Sequence, residues 1–416
     1  MFTHATGSDQ VEAIRAQLLH AGLELSSAGV PESPLLIIEL DHLAASDPAT
    51  IARAAAVLHE CLPLTVGVLR HTATADLSLL LDALTLTLTD TRTPAPTGFH
   101  AENPPRHLVP VPDIDAALVQ LAAAVARSPQ TALTCGHLLR RTGGGASITS
   151  ALAAEAAAYS MLLGGNEFER WLIERDSAGQ RVAAGGKLIV GGDIVPVRGP
   201  LPHSVVTTGT DPLVDSEPAA GSAIPVSEMA PEGHMVGVRR AGSHLSIVLN
   251  NPARRNALSI RMREELLAAL TVAEADADIE SVELRGAGPA FCSGGDLREF
   301  GAAVDPVAAY LVRLDRAPWR VLDRIADRST VRVHGACIGA GVEMAAFGGR
   351  VCASPDSWFR FPEVAMGLIP GAGGTVSVPR RIGRWRAAWL MLTGTPLSVG
   401  EALRWGLVDD VSDSTE

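Results

Sequence analysis

The chain has 416 residues, 47% of them hydrophobic and 19% charged, with a net charge of −12 at neutral pH. That length fits two or three domains, each able to bury a core. The acidic balance, without any run of Lys and Arg, excludes nucleic acid as the main partner, so a phosphorylated ligand has to be held by a few local arginines.

Residues 9–28 set aliphatics at helical spacing (Val11, Ile14, Leu18, Leu19, Leu23), and Pro31 and Pro34 end that predicted helix. Leu35 to Leu40 reads as a buried strand. Asp47-Pro48 caps a helix through Glu60, with the acid at the N-cap and proline at the first helical position. Leu64 to Leu69 is a second strand, and Asp76 to Leu88 passes from a helical pattern into alternating Leu and Thr. Residues 90–112, rich in Pro, Thr and His, read as a loop. An amphipathic helix spans Asp113 to Arg127, a short strand from Thr131 to Cys135 stops at Gly136, and an Ala-rich helix runs from Ser147 to Leu163. An acidic, Trp-containing helix follows. Gly191-Gly192, between KLIV and DIVPV, marks a hairpin. The Pro-, Ser-, Thr- and Gly-rich residues 200–233 read as a linker, which divides the chain into 1–199 and 234–416.

In the second half, MVGVRRAGSHLSIVLNN predicts a hairpin and residues 259–274 a helix capped by Ser259. Val282 to Arg285 is a strand leading into FCSGGDL, residues 291–297. One long helix is expected from Asp305 to Asp327. Then comes the densest stretch, Val331 to Thr375. A strand breaks at His334-Gly335, Ile338-Gly339-Ala340-Gly341 turns, and an apolar helix starts at about Val342. Such a turn leaves backbone N–H groups unpaired at the positive end of a helix dipole, where an oxygen gaining negative charge fits. Glu343 lies in the first helical turn, Glu363 follows 20 residues later, and a second glycine turn runs from Gly367 to Thr375. Two carboxylates and free amides, amid little other charge, suggest proton transfer beside a polarised carbonyl.

The motifs FCSGGDL, GACIGAGVEMA and FPEVAMGLIPGAGGT, in that order, resemble the crotonase (enoyl-CoA hydratase/isomerase) superfamily over about Met235 to Val411. The resemblance implies an α/β chain with a ββα superhelix in its C-terminal half. It implies that the amides of Gly295 and Ala340 hold a thioester oxygen as it becomes enolate-like. Glu343 and Glu363 fall on the hydratase pair, one activating water toward Cβ and the other giving a proton to Cα. Contacts to CoA are implied for Arg254, Arg255, Ala257, Gly294, Asp296 and Leu297. The implied activity is hydration or dehydration of an α,β-unsaturated acyl-CoA, without a metal or redox cofactor. An acyl-carrier-protein thioester fits equally well. The same fold also runs isomerisation, thioester hydrolysis, decarboxylation and cofactor-free oxygenation of aryl-acetyl thioesters, and a non-catalytic subunit stays open.

Relatives continue past EALRWGLVDDV in helices that cover the acyl site and build a trimer. Here the cover is expected from the N-terminal half, from a partner, or not at all, in a homo-oligomer that need not be the usual trimer. Gly348-Gly349 replaces the family's Cys-Asp. His334 reads as structural and Asp296 as a turn former. The five cysteines, 61, 135, 292, 337 and 352, show neither CxxC nor metal-like spacing and read as buried free thiols. With no leader pattern and no apolar run of about 18 residues, the expected compartment is the reducing cytosol, away from membranes.

The halves also echo each other. LLIIELD parallels LSIVLNN, helix-then-TALTCG parallels helix-then-TVRVHG, and AEAAAYSMLLGG parallels RWRAAWLMLTGT. A degenerate crotonase-like repeat in the N-terminal half is the expectation that follows.

Overall fold

The structure is a computed structural model and describes residues 22–43, 46–71, 76–91, 105–142, 146–185, 187–190, 193–196 and 233–412. Most of the helix expected over 9–28, and the linker to residue 232, lie outside them. The described part of the former is no helix: residues 22–31 form a turn with a bridge between Leu25 and Pro31.

Four parallel strands open the fold in chain order: β1 (Leu35–Glu39), β2 (Leu64–Leu69), β3 (Leu86–Asp90) and β4 (Leu108–Val111). Between them lie α1 (Pro48–His59) and α2 (Ser78–Ala83). The α1 cap is as expected, with Asp47 Oδ1 accepting the N–H groups of Ala49 and Thr50 at 3.0 Å each. β4 was hidden in a predicted loop. Its Pro110 cannot donate to a ladder, but β4 is the sheet edge, where that donor is not needed. Four helices follow: α3 (Ile114–Arg127), α4 (Pro129–Thr142), α5 (Ile148–Leu163) and α6 (Asn166–Gly185). A hairpin pairs β5 (Lys187–Val190) with β6 (Asp193–Pro196).

Thr131 to Cys135, expected as a strand, is helical within α4. The reason lies 36 residues away: the Glu167 carboxylate accepts the N–H groups of Gln130 and Thr131, both at 2.9 Å, and so satisfies the start of that helix. Gly136 is not a stop either. It lets α4 lie against β2, where a Cβ would overlap the Leu64 side chain.

The second half builds a six-stranded sheet in the order β15-β12-β10-β9-β8-β7. β7 (Val236–Ala241) is antiparallel to β8 (His244–Leu249). β9 (Ser281–Gly286), β10 (Ser329–Val333), β12 (Arg350–Ala353) and β15 (Asp410–Val411) continue parallel to β8. A smaller sheet joins β11 (Ala336–Ile338), β13 (Trp358–Arg360) and β14 (Leu397–Ser398). The helices are α7 (Ile260–Ala275), α8 (Pro306–Asp315), α9 (Pro318–Arg324), α10 (Ala340–Ala345), α11 (Gly374–Ile382), α12 (Arg384–Thr393) and α13 (Val399–Trp405). The single helix expected over 305–327 is α8 plus α9, split where Pro318 restarts the chain as a first-turn proline.

One hydrophobic core joins both halves, running from Val66, Leu88 and Leu121 to Leu245, Phe361 and Trp389. At its centre α12 packs on α3, α4 and β3. Two buried arginines of α12 reach back across the junction: Arg384 donates to the carbonyls of Leu84 and Asp82, and Arg386 to those of Leu108 and Pro105. The first sheet, and the second from β8 to β15, advance through parallel neighbours in chain order. The TALTCG–TVRVHG parallel fails, because the first is helix and the second strand. All five cysteines are buried and free. Among the described residues no helix is long and apolar enough to cross a membrane.

Candidate active site

Two turns meet at one end of the second half. The first follows Cys292, which bridges in parallel to Cys337 of β11 while Ile338 N–H donates to the Cys292 carbonyl at 3.0 Å. That pairing lays Ser293-Gly294-Gly295 beside Ile338-Gly339-Ala340. A Cβ on Gly294 would sit 3.2 Å from the Ile338 carbonyl oxygen, and its φ of +96° is one that side chains rarely adopt. Leu258 N–H takes the Gly294 carbonyl and Asp296 N–H takes the Leu258 carbonyl, which skips Gly295. Ala340 is the first residue of α10, so its N–H has no acceptor within the helix. Among the described residues neither the Gly295 nor the Ala340 N–H has a hydrogen-bond acceptor, and both residues line one cavity of about 480 Å³.

Glu343 and Glu363 line the same cavity. Glu343 projects from the first turn of α10 and is buried. Its Oε2 accepts the Ala372 N–H at 2.6 Å and the Gly374 N–H at 2.9 Å. Glu363 opens a 3-10 turn, and its Oε2 is buried without a partner. Two glycines make room for these acids. A Cβ on Gly374 would lie 2.6 Å from Glu343 Cγ, and one on Gly339 would overlap Glu363 Oε1. Burial pushes both carboxyls up. Glu343 rises well above the usual range, with the charges of Glu363 and Glu155 adding to burial and the two loop amides opposing it. Glu363 rises to about 8, with burial first and Glu155 after it. Each raised value means that the neutral form is favoured near pH 7.

The N-terminal half supplies part of the wall: Tyr159 and Leu163 of α5 and Phe168 of α6 line the cavity together with Phe300, Val312 and Trp319. A third buried carboxylate enters with them. Glu155 Oε1 accepts the Gly373 N–H at 2.7 Å, and its Oε2 accepts the Thr375 N–H at 2.9 Å and the Thr375 hydroxyl at 2.6 Å. Burial pushes Glu155 up to about 7, against those donors and the charge of Arg313. Arg313 stacks on Tyr159, 3.4 Å from the ring centroid, and donates to the Gly371 carbonyl at 2.7 Å. Sequence reasoning missed Glu155. The available signal was a carboxylate on the apolar face of an Ala-rich helix, flanked by Leu152, Ala156 and Tyr159 and without a basic partner a turn away.

The other expected residues scatter around the rim. Asp296 lines the cavity, but its carboxylate is held by Arg298 at 3.0 Å and 2.5 Å, as befits a turn former. Leu297 is exposed beside it. Arg254 and Arg255 are exposed on a 3-10 turn outside the cavity lining, and the Arg255 carbonyl holds Ser293 N–H at 2.9 Å. Ala257 is half-buried between that turn and Leu258. His334 is buried with Nε2 2.8 Å from the Gly288 carbonyl, and burial lowers its pKa. Gly348-Gly349 follows α10, and Gly349 N–H donates to Ser329 Oγ at 3.1 Å. A Cβ at 349 would overlap the Ala326 carbonyl, so this departure from the family pattern fits a close backbone crossing.

Residues 239–416 match the family model described as enoyl-CoA hydratase/isomerase. The 2,3-dehydroadipyl-CoA hydratase of Escherichia coli (strain K12) is 33% identical over 177 residues, which is 42% of this chain and 69% of that protein. An enoyl-CoA isomerase/hydratase of Mycosarcoma maydis is 34% identical over 175 residues, 40% of this chain and 64% of that one. The crystal structure of enoyl-CoA hydratase from Thermoplasma volcanium GSS1 is 31% identical, covers 44% of this chain and 73% of its own, and superposes with a TM-score of 0.40. Several curated relatives are matched over only 59% to 65% of their own length.

Proposed function

Because the chain belongs to the enoyl-CoA hydratase/isomerase family, of the crotonase superfamily, through its residues 239–416, we propose that it adds water reversibly to an α,β-unsaturated acyl-CoA thioester. One observation carries the reading: Gly295 and Ala340, whose N–H groups have no acceptor among the described residues, line one mostly apolar cavity with the carboxyls of Glu343 and Glu363. The thioester oxygen lies between the Gly295 and Ala340 amides. Glu343 takes a proton from water as the water oxygen bonds to Cβ. The Cα=Cβ electrons move toward the carbonyl, and the oxygen becomes enolate-like between the two amides. Glu363 then gives its proton to Cα. One donor of this kind is worth about 2.7–4 kcal/mol in the barrier. The division of labour follows the hydrogen bonds. Burial raises both acids, but two amides on Glu343 Oε2 oppose that rise, so its ionised fraction serves as the base, whereas Glu363, without a partner on Oε2, supplies the proton. Arg254 and Arg255 stand exposed beside the Ser293 turn, where they would meet the phosphates of the CoA nucleotide.

The test is mass spectrometry of a panel of enoyl-CoAs after incubation with the protein. A gain of one water is expected, and it should drop at least about 100-fold in Glu343→Gln and in Glu363→Gln alike. Loss in only one of the two, with the double bond moved rather than hydrated, makes the protein an isomerase. Hydration unchanged in both variants removes the two-glutamate reading.

A further inference from the structure

Four successive backbone N–H groups in the second glycine turn are held by two different carboxylates in strict alternation. Ala372 goes to Glu343, Gly373 to Glu155, Gly374 to Glu343 and Thr375 to Glu155, at 2.6 to 2.9 Å. Glu343 belongs to the second half and Glu155 to α5 of the first. We infer that Glu155 is a positioning residue: by gripping Gly373 and Thr375 it fixes the two amides that hold Glu343 Oε2. The inference rests on the role proposed for Glu343 but concerns a residue outside the matched segment.

All three groups that Glu155 meets within hydrogen-bond distance are donors, two amides and the Thr375 hydroxyl. That set suits an ionised carboxylate. Without it, Gly373 and Thr375 would keep buried N–H groups with no acceptor, and the turn would have to move to rehydrate them. Flexible glycines at 371, 373 and 374 make that movement easy. Glu343 would then lose its two donors.

This predicts a sign. The titratable and charged groups facing Glu343 are Glu155 and Tyr159 from α5, Arg313 from α8, Glu363 from its 3-10 turn, and Cys292. Removing only the charge of Glu155 would lower the Glu343 midpoint, because a like charge has gone. Loosening the two amides would raise it. Carboxyl-13C NMR titration of glutamate-labelled full-length protein, with Glu343→Gln for assignment, distinguishes the two without needing activity. For Glu155→Gln we expect the Glu343 midpoint to rise by about half a pH unit or more. We also expect kcat for enoyl-CoA hydration to fall about 10- to 100-fold, with KM within about threefold. Thr375→Val, which removes one of the three bonds and keeps the charge, should shift the midpoint the same way by less. Thr375→Ser should restore it. If Glu155→Gln does not fold, Thr375→Val against Thr375→Ser decides alone. A midpoint that falls or stays put in the folded variants overturns the inference. Wild-type protein that hydrates no enoyl-CoA overturns the hydratase reading instead, and leaves the titration to judge Glu155.

Discussion

Glu343 and Glu363 share one cavity but not a hydrogen-bond environment, and their pH behaviour follows from that difference. With Glu363 at about 8, kcat/KM for a short enoyl-CoA should fall as pH rises past about 8, where Glu363 loses its proton. A pH profile tests this, and in Glu363→Gln the alkaline limb should vanish with the activity. Stability follows the same titration. Burial raises the folded value of Glu363 above the ordinary carboxylate value of 4.5, so its contribution is full below about 4.5 and lost as pH climbs through about 8. At 1.36 kcal/mol per unit the loss is on the order of a few kcal/mol. Thermal melts should therefore show wild type less stable at pH 9 than at pH 6, with a smaller drop in Glu363→Gln. Gly374 offers a third test. Its φ is ordinary, so Gly374→Ala strains no backbone, yet the added methyl would sit 2.8 Å from Glu343 Oε2. The expected result is a folded protein with activity lowered at least about tenfold, read by circular dichroism and kinetics.

Helices and strands whose ends are marked locally could be read from the sequence; those finished by distant residues could not. Asp47 with Pro48, Asp113 and Ser259 each cap the helix that directly follows, and each start was legible. Asp47→Ala should cost about 1 kcal/mol in a denaturant titration and leave the active site untouched, since α1 lies in a separate small cluster with Leu58 and Leu81. In contrast, α4 starts on the carboxylate of Glu167, a partner that no local pattern shows, and its β-branched Thr residues read as strand. β4 was obscured by a proline that an edge tolerates. The two turns of the site were legible because small residues are dictated by close approach there: Gly294 lies against Ile338, and Gly339 against Glu363. Glu155 was not, since a lone acid in an alanine helix carries no spacing signal, and only tertiary packing reveals what it grips.

For the molecule as a whole, the match to known proteins ends where the cavity does not. Tyr159, Leu163 and Phe168 wall it, and Arg384 and Arg386 anchor α12 on carbonyls of the first half. Residues 233–416 expressed alone should bare the faces of Phe361, Trp389 and Leu392 and stay insoluble or aggregated, as sedimentation would show. A soluble, active fragment would mean that the first half is dispensable. Last, the bond from Gly373 to Glu155 joins positions 218 residues apart. Closing so long a loop is entropically slow, and local helices do not wait for it. After dilution from denaturant the far-ultraviolet signal should therefore return first, and turnover should lag behind it.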